Sequence, residues 1–117
     1  MTAEITEIYE IEAPLSIRKR EEFRENLIES IEEILSFSQV ILNFLELNTP
    51  FKKSSIIECP DVFSYELEDL FGDSARGIED LILERLYNKI NRKYEKNKNK
   101  KFEEYIRDAL KGYIEYY

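Results

Sequence analysis

The sequence predicts an all-α fold, a compact bundle of about five helices that follows an extended amino-terminal arm. Apolar side chains recur at the three- and four-residue spacing of amphipathic helices from Ser16 onward. Residues that stop or start helices fall between those stretches: Pro14, Pro50, Pro60 and Gly72. These two observations together favour helices over strands throughout the chain.

Length indicates a single domain. The chain has 117 residues and is 43% hydrophobic, which is enough apolar material for one core without disulfides. Residues 1–15 hold isoleucines at three-residue spacing among glutamates, a pattern that suits neither helix nor strand. We predict an extended arm there that docks on the body, with a frayed tail as the alternative. Residues 16–117 form the single helical domain.

The first helix follows Ser16, and the sequence predicts that it breaks near Ser36. Ser36 and Gln39 have the spacing of a capping box, with Leu35 and Val40 at the staple positions beside it. A single bent helix through Leu47 is the alternative. Because the stretch from Val40 to Leu47 is apolar nearly all round, we predict that it is the central buried element.

A glycine corner joins the next two helices. Pro60 suits a first helical position, and Gly72 suits the left-handed conformation that ends a helix. Asp73 or Ser74 is then expected to cap a long helix that reaches Ile90. A basic linker, residues 93–100, precedes a last helix with apolar and tyrosine side chains along one arc.

Composition excludes several classes of function. The chain contains no histidine, the usual proton shuttle and the commonest metal ligand, and its net charge is −8. No cofactor or metal is predicted, and carboxylate pairs such as Glu29 with Glu33 or Glu66 with Asp69 are interpreted as surface charges. The single cysteine, Cys59, is expected to be a small buried hydrophobe. Without a membrane-spanning run or a basic amino terminus, a cytoplasmic, soluble protein is expected.

Wide apolar faces on two helices of so small a domain favour a symmetric homodimer. The tyrosines of the last helix either close the core or pair two subunits. The interface candidates are Leu83, Tyr87, Tyr113, Tyr116 and Tyr117.

The basic linker is a candidate nucleic-acid contact. Between residues 92 and 101 six basic side chains stand against one glutamate: Arg92, Lys93, Lys96, Lys98, Lys100 and Lys101. With Tyr94 they have the composition that grips phosphates and stacks a base, although such a run between helices is commonly just solvated. A helix-turn-helix around Gly72 is disfavoured because acids outnumber Arg76 at the early exposed positions of its second helix.

Glu79 interrupts the apolar stripe of the long helix. A carboxylate there needs an ion pair, a hydrogen bond or a partner interface. The structural interpretation is an ion pair with Arg24 or Arg85. The functional interpretation is an acid of perturbed pKa in a pocket, which would suit a carboxylate-based enzyme.

The stretch from Phe63 to Tyr87 resembles a known type of domain in its pattern of apolar, glycine and glutamate positions. The matching residues are Phe63, Phe71, Gly72, Ala75, Ile78, Glu79, Ile82, Leu86 and Tyr87. It is similar to small archaeal all-helical domains of the Nitrosopumilus output domain type, over roughly residues 22–91. The resemblance implies an archaeal helical module of signalling output or interaction, without known enzymatic activity. The arm, the basic linker, the tyrosine helix and the lack of a receiver or sensor domain depart from that pattern.

The function predicted from the sequence is therefore a non-enzymatic protein-interaction module, homodimeric or bound to another protein. Nucleic-acid association through residues 92–101 is the alternative, and an enzyme centred on Glu79 is a further one.

Overall fold

The computed structural model describes the backbone of residues 2–116 and the side chains of residues 15–115. Within this range there are five α-helices and no strand, so the predicted all-α fold is confirmed. The helices are α1 (Thr2–Ile34), α2 (Ser38–Asn48), α3 (Pro60–Phe71), α4 (Ala75–Lys89) and α5 (Phe102–Tyr116), with single 3₁₀ turns at Lys53–Ser55 and Gly72–Ser74.

The amino-terminal segment differs from the extended arm predicted for residues 1–15. Helix α1 begins at Thr2, so the backbone of residues 2–15 is helical and continues into the body. A helix satisfies its N–H and C=O groups within the segment, whereas an extended arm needs a partner strand. No strand is present among residues 2–116. The side chains on which docking of the arm would depend lie outside the described ones.

All five helices contribute to one hydrophobic core. Helix α1 inserts Phe23, which packs against Tyr113 of α5 with ring centroids 5.8 Å apart. Phe63 of α3 lies between Phe51 and Phe102, at centroid distances of 5.6 and 5.8 Å. Truncating such a fully buried phenylalanine to alanine costs about 3–5 kcal/mol. The aromatic contacts thus join segments that are distant in the chain.

The predicted break between α1 and α2 is present, but its mechanism is not the predicted capping box. Helix α1 ends at Ile34, and Phe37 takes the N-cap position of α2 without a side-chain cap hydrogen bond. Gln39 instead donates to the Glu32 carboxylate at 2.9 Å. Because Phe37 adopts a left-handed conformation with φ 59°, the chain reverses at this residue rather than at Ser36.

The corner between α3 and α4 has the predicted glycine in a special conformation. Gly72 has φ 59° and ψ −133°, a combination that side-chain-bearing residues rarely adopt. The predicted cap is wrong, since Ser74 has helical angles and makes no side-chain cap hydrogen bond. The 3₁₀ turn leads directly into α4, which leaves no separate non-helical residue to act as a cap.

Lys89 ties the end of α4 to α1. Its Nζ lies 3.2 Å from Glu29 Oε1 and 2.7 Å from Glu33 Oε2. These are two of the carboxylates predicted to be surface charges, and their side chains are indeed exposed or partly exposed. The Lys89 ammonium holds the pKa of Glu33 below its usual value. The two ion pairs of Lys89 therefore help to position α4 on α1.

Candidate functional site

The outer face of α2 carries a row of exposed apolar side chains, which we call the α2 stripe: Phe37, Val40, Phe44 and Leu47. Their exposed fractions are 81%, 65%, 49% and 85%. The prediction that this segment is the central buried element is therefore wrong. Helix α2 buries only one side, through Ser38, Leu42 and Leu45, because it lies at the edge of the bundle and no other described element covers the opposite side.

Phe37 combines an exposed side chain with an unfavourable backbone. A left-handed conformation costs a bulky L-residue about 1 kcal/mol relative to a residue that tolerates it. Burial of the ring within the chain offsets little of this conformational cost, since the ring is mostly exposed. A large apolar residue at such a position indicates that the ring has a role outside the packing of the single chain.

The residues predicted to form a dimer interface are not part of the α2 stripe. Leu83, Tyr87 and Tyr113 are buried in the core of the single chain, so they are not available to a second subunit. The hydroxyl of Tyr113 donates to Glu22 Oε2 at 2.8 Å and closes α5 onto α1. Tyr117 and the side chain of Tyr116 lie outside the described residues.

Most of the predicted basic patch is paired within the chain. Arg92 donates to the backbone oxygen of Asp108 at 3.0 Å and covers the Tyr87 ring. The lysine ion pairs are Lys93 with Glu95 at 3.3 Å, Lys96 with Asp80 at 2.9 Å and Lys100 with Asp108 at 2.5 Å. Lys98 and Lys101 have no ion pair among the residues that the structure describes. Four of the six basic side chains thus have a partner within the chain, although Lys93 and Lys96 stay exposed.

Tyrosines hold this linker on the body. The Tyr105 hydroxyl accepts a hydrogen bond from the Asn97 amide at 2.6 Å and donates to the Glu95 carbonyl at 3.1 Å. Tyr94 donates to Asp80 Oδ1 at 3.0 Å, and Tyr87 donates to the Tyr105 carbonyl at 2.8 Å. Burial raises the pKa of Tyr87 to about 12. Tyr94, predicted as a base-stacking ring, is thus engaged in anchoring the linker.

Glu79 is buried as predicted, with 6% of its surface exposed, but it has neither of the predicted arginine partners. Arg24 pairs with Glu21 and Arg85 pairs with Glu33. Instead, the Ser64 hydroxyl of α3 donates a hydrogen bond to the Glu79 carboxylate. Burial is the largest influence on the pKa of Glu79 and raises it, against the opposing effect of the Ser64 hydrogen bond.

A cleft of about 590 Å³ adjoins Glu79 between α3, α4 and the start of α5. We call it the Glu79 cleft. Its walls include the carboxylates of Glu66 and Glu103 and the rings of Tyr65 and Phe102. Glu66, predicted as a surface charge, is buried with 8% of its surface exposed. Its place three residues after Phe63 on the apolar side of α3 is the signal that sequence reasoning missed.

Two further observations concern reactive and metal-binding groups. Cys59, predicted to be buried, is exposed at the start of α3. Among the described side chains, no group of three or more His, Cys, Asp or Glu residues is arranged to hold a metal ion. The Glu79 cleft therefore offers carboxylates and aromatic rings as its chemistry.

Comparison with protein-family models, with curated protein sequences and with solved structures gives no match to this chain. The resemblance to archaeal output domains thus stays a prediction. None of the described helices combines the length and apolar character needed to cross a membrane.

Proposed function

We propose that the protein is a non-enzymatic interaction module of the cytoplasm that forms a symmetric homodimer through the α2 stripe. The observation that carries this proposal is the exposure of three large apolar side chains on one side of α2 together with the ring of its N-cap residue, Phe37. Contiguous exposed apolar surface marks interaction sites in proteins of this size.

The residues of the α2 stripe have the same spacing whether the sequence is read forwards or backwards. The intervals between Phe37, Val40, Phe44 and Leu47 are three, four and three residues. When two copies of α2 lie antiparallel, Val40 of one copy faces Phe44 of the other, and the N-cap residue Phe37 lies at the same end of the pair as Leu47 of the second copy. The three-four spacing is that of a coiled-coil seam. A two-fold contact pairs the same patch on both subunits, so a single stripe supplies both sides.

Charge does not oppose a second copy at the α2 stripe, although the chain as a whole is acidic. The chain has a net charge of −8, whereas α2 contains one charged residue, Glu46. The Glu46 carboxylate accepts a hydrogen bond from the Lys53 amide at 3.1 Å, in the connection that follows α2. Two acidic chains repel one another over most of their surface, and a neutral apolar face lets them meet with little repulsion.

Interface size sets the expected strength. One helix of 11 residues presents less than the roughly 800 Å² per partner of a standard interface, and contacts of that size are weak or transient. We therefore expect a dissociation constant in the micromolar range or above.

Sedimentation velocity between about 10 μM and about 1 mM tests the proposal, since this range brackets a weak dimer. We expect concentration-dependent dimerisation of the native chain and at least a tenfold weakening in the double variant Val40→Gln with Leu47→Gln. The matched control is Ile17→Gln, an exposed apolar residue of α1 about 25 Å along the helix from its end at Ile34. A native chain that stays monomeric, or a dimer that the double variant leaves unchanged, contradicts the proposal.

The nucleic-acid alternative ranks second. It rests on Lys98 and Lys101, two basic side chains of the patch that have no ion pair in the described structure. Two phosphate contacts give weak and strongly salt-dependent binding. Retention of a single-stranded oligonucleotide at low salt that is lost in Lys98→Gln with Lys101→Gln would support it. The enzyme alternative ranks third, because no partner group with a catalytic role can be named for the Glu79 carboxylate among the described residues.

A further inference from the structure

Glu66 is a buried carboxylate without a partner. It is 8% exposed, and it takes part in no hydrogen bond or ion pair of the described structure. Every fully enclosed polar side-chain atom among the described residues has a hydrogen-bond partner. The Glu66 oxygens are therefore not fully enclosed, and Glu66 lines the Glu79 cleft.

Glu79 adds a second buried carboxylate to the same cleft. The Ser64 hydroxyl donates to its Oε2, which leaves Oε1 without a hydrogen bond among the described contacts. The nearby Glu68 and Glu103 add negative potential, and Arg76 opposes it. The Arg76 guanidinium is also engaged, since it donates to the Lys98 carbonyl at 3.1 Å. Five carboxylates against two basic side chains line the cleft, which makes it strongly negative.

The apolar residues that line the cleft determine which kind of cation it can bind. Val62, Tyr65 and Phe102 provide apolar surface, and the Tyr65 ring is largely exposed. Aromatic faces attract ammonium groups, and apolar walls take up an alkyl chain. A bare metal ion gains nothing from such walls and finds no ligand cluster among the described residues. A volume of about 590 Å³ is in the range of small-molecule sites.

We propose that the Glu79 cleft binds an alkylammonium group, with Glu66 and Glu79 as its carboxylate contacts and Tyr65 and Phe102 along its alkyl chain. This chemistry has two sources, a free diamine or the lysine side chain of a peptide. The proposal is independent of the α2 stripe, which lies on another helix.

Isothermal titration of the full chain with 1,4-diaminobutane and with N-acetyl-lysine methylamide tests the proposal. Butanol serves as an uncharged probe and magnesium chloride as a purely ionic one. We expect saturable binding of an ammonium probe and none of butanol. Glu66→Gln should weaken binding at least tenfold, since it removes a charge-assisted hydrogen bond. Lys101→Gln should strengthen it severalfold, since it removes a like charge from the cleft wall. The matched control is Glu104→Gln, an exposed carboxylate of α5 that does not line the cleft.

Each outcome bears on the proposal. Binding of the diamine only assigns a small-molecule ligand, and binding of the lysine amide only assigns a peptide side chain. Either supports the shared chemistry. No binding of either probe at 10 mM, equal competition by magnesium, or native affinity in Glu66→Gln overturns it. A urea titration of Glu66→Gln, which we expect to be at least as stable as the native chain, separates loss of the site from loss of the fold.

Discussion

Ser64 on α3 donates its hydroxyl hydrogen to the carboxylate of Glu79 on α4. This hydrogen bond joins the two helices beside the Glu79 cleft and takes the place of the arginine ion pair that the sequence indicated. A neutral donor stabilises a buried carboxylate less than a guanidinium does. The two helices are therefore packed around an acid that is only partly compensated.

Glu79→Gln should stabilise the chain at neutral pH. Burial raises the pKa of Glu79 above its usual 4.5, so the folded chain binds this proton more tightly than the unfolded chain. The favourable contribution is present below the unfolded pKa and is lost as the pH rises through the folded pKa. At pH 7 the ionised group thus opposes folding, and its removal should raise the free energy of unfolding by about 1 kcal/mol. Urea titrations at pH 7, 5.5 and 4 should show this gain shrinking as the pH falls. A gain that grows toward pH 4 would contradict the assignment.

Phe37→Asn should separate stability from association. Asparagine adopts the left-handed conformation of residue 37 more readily than phenylalanine, and the native ring is mostly exposed. We expect the monomer to gain about 0.5–1 kcal/mol in urea denaturation at low concentration, while sedimentation shows weaker dimerisation. A loss of stability above 1 kcal/mol would mean that the ring packs within the single chain.

Substitution of two glycines by alanine should change the stability of the chain in opposite directions. Gly72→Ala forces a side chain into φ 59° and ψ −133° and should destabilise the chain by about 1–3 kcal/mol. Gly77 lies inside α4 with nothing within 4 Å of an added Cβ, so Gly77→Ala should stabilise by about 0.5–1 kcal/mol. Thermal denaturation of the two variants measures both effects, and equal signs would refute this account of the corner.

Tyr105→Phe should loosen the basic linker. The variant removes the hydroxyl that accepts from the Asn97 amide and donates to the Glu95 carbonyl. We expect a loss of about 1–2 kcal/mol and faster hydrogen exchange at the Asn97 amide. Tyr65→Phe is the control, because the exposed Tyr65 hydroxyl has no hydrogen bond among the described contacts. If exchange at Asn97 is unchanged, the hydroxyl does not anchor the linker.

Sequence patterns predicted the ends of helices better than they predicted which side chains are exposed. The corner at Gly72 was predictable because a glycine acts on its own few residues of backbone, whereas the break near Ser36 was predicted in the right place from a capping box that the structure does not form. The burial of α2 was not, because its residues are apolar on both sides and the pattern cannot say which side a neighbour covers. Glu66 was interpreted as a surface charge for a similar reason, since it lies at the margin of the apolar side of α3.

Contacts between side chains that are distant in the sequence could not be predicted from the sequence either. Lys96 and Lys100 of the linker pair with Asp80 and Asp108, which the fold brings to them from α4 and α5. Tyr113 reaches Glu22 across 91 residues of sequence. No local pattern specifies such partners, so the ion pairs within the basic patch and the burial of Tyr113 could not be predicted from the sequence.

The sequence by itself determined the all-helical class, the helix boundaries after Ser16 to within a few residues and the burial of Glu79, because periodicity and backbone preference are local properties. The tertiary structure decided that α2 keeps an apolar stripe on its outer side and that Glu66 opens into a cleft without a partner. Burial depends on which distant segments cover a surface, and that is fixed only when all five helices have packed together.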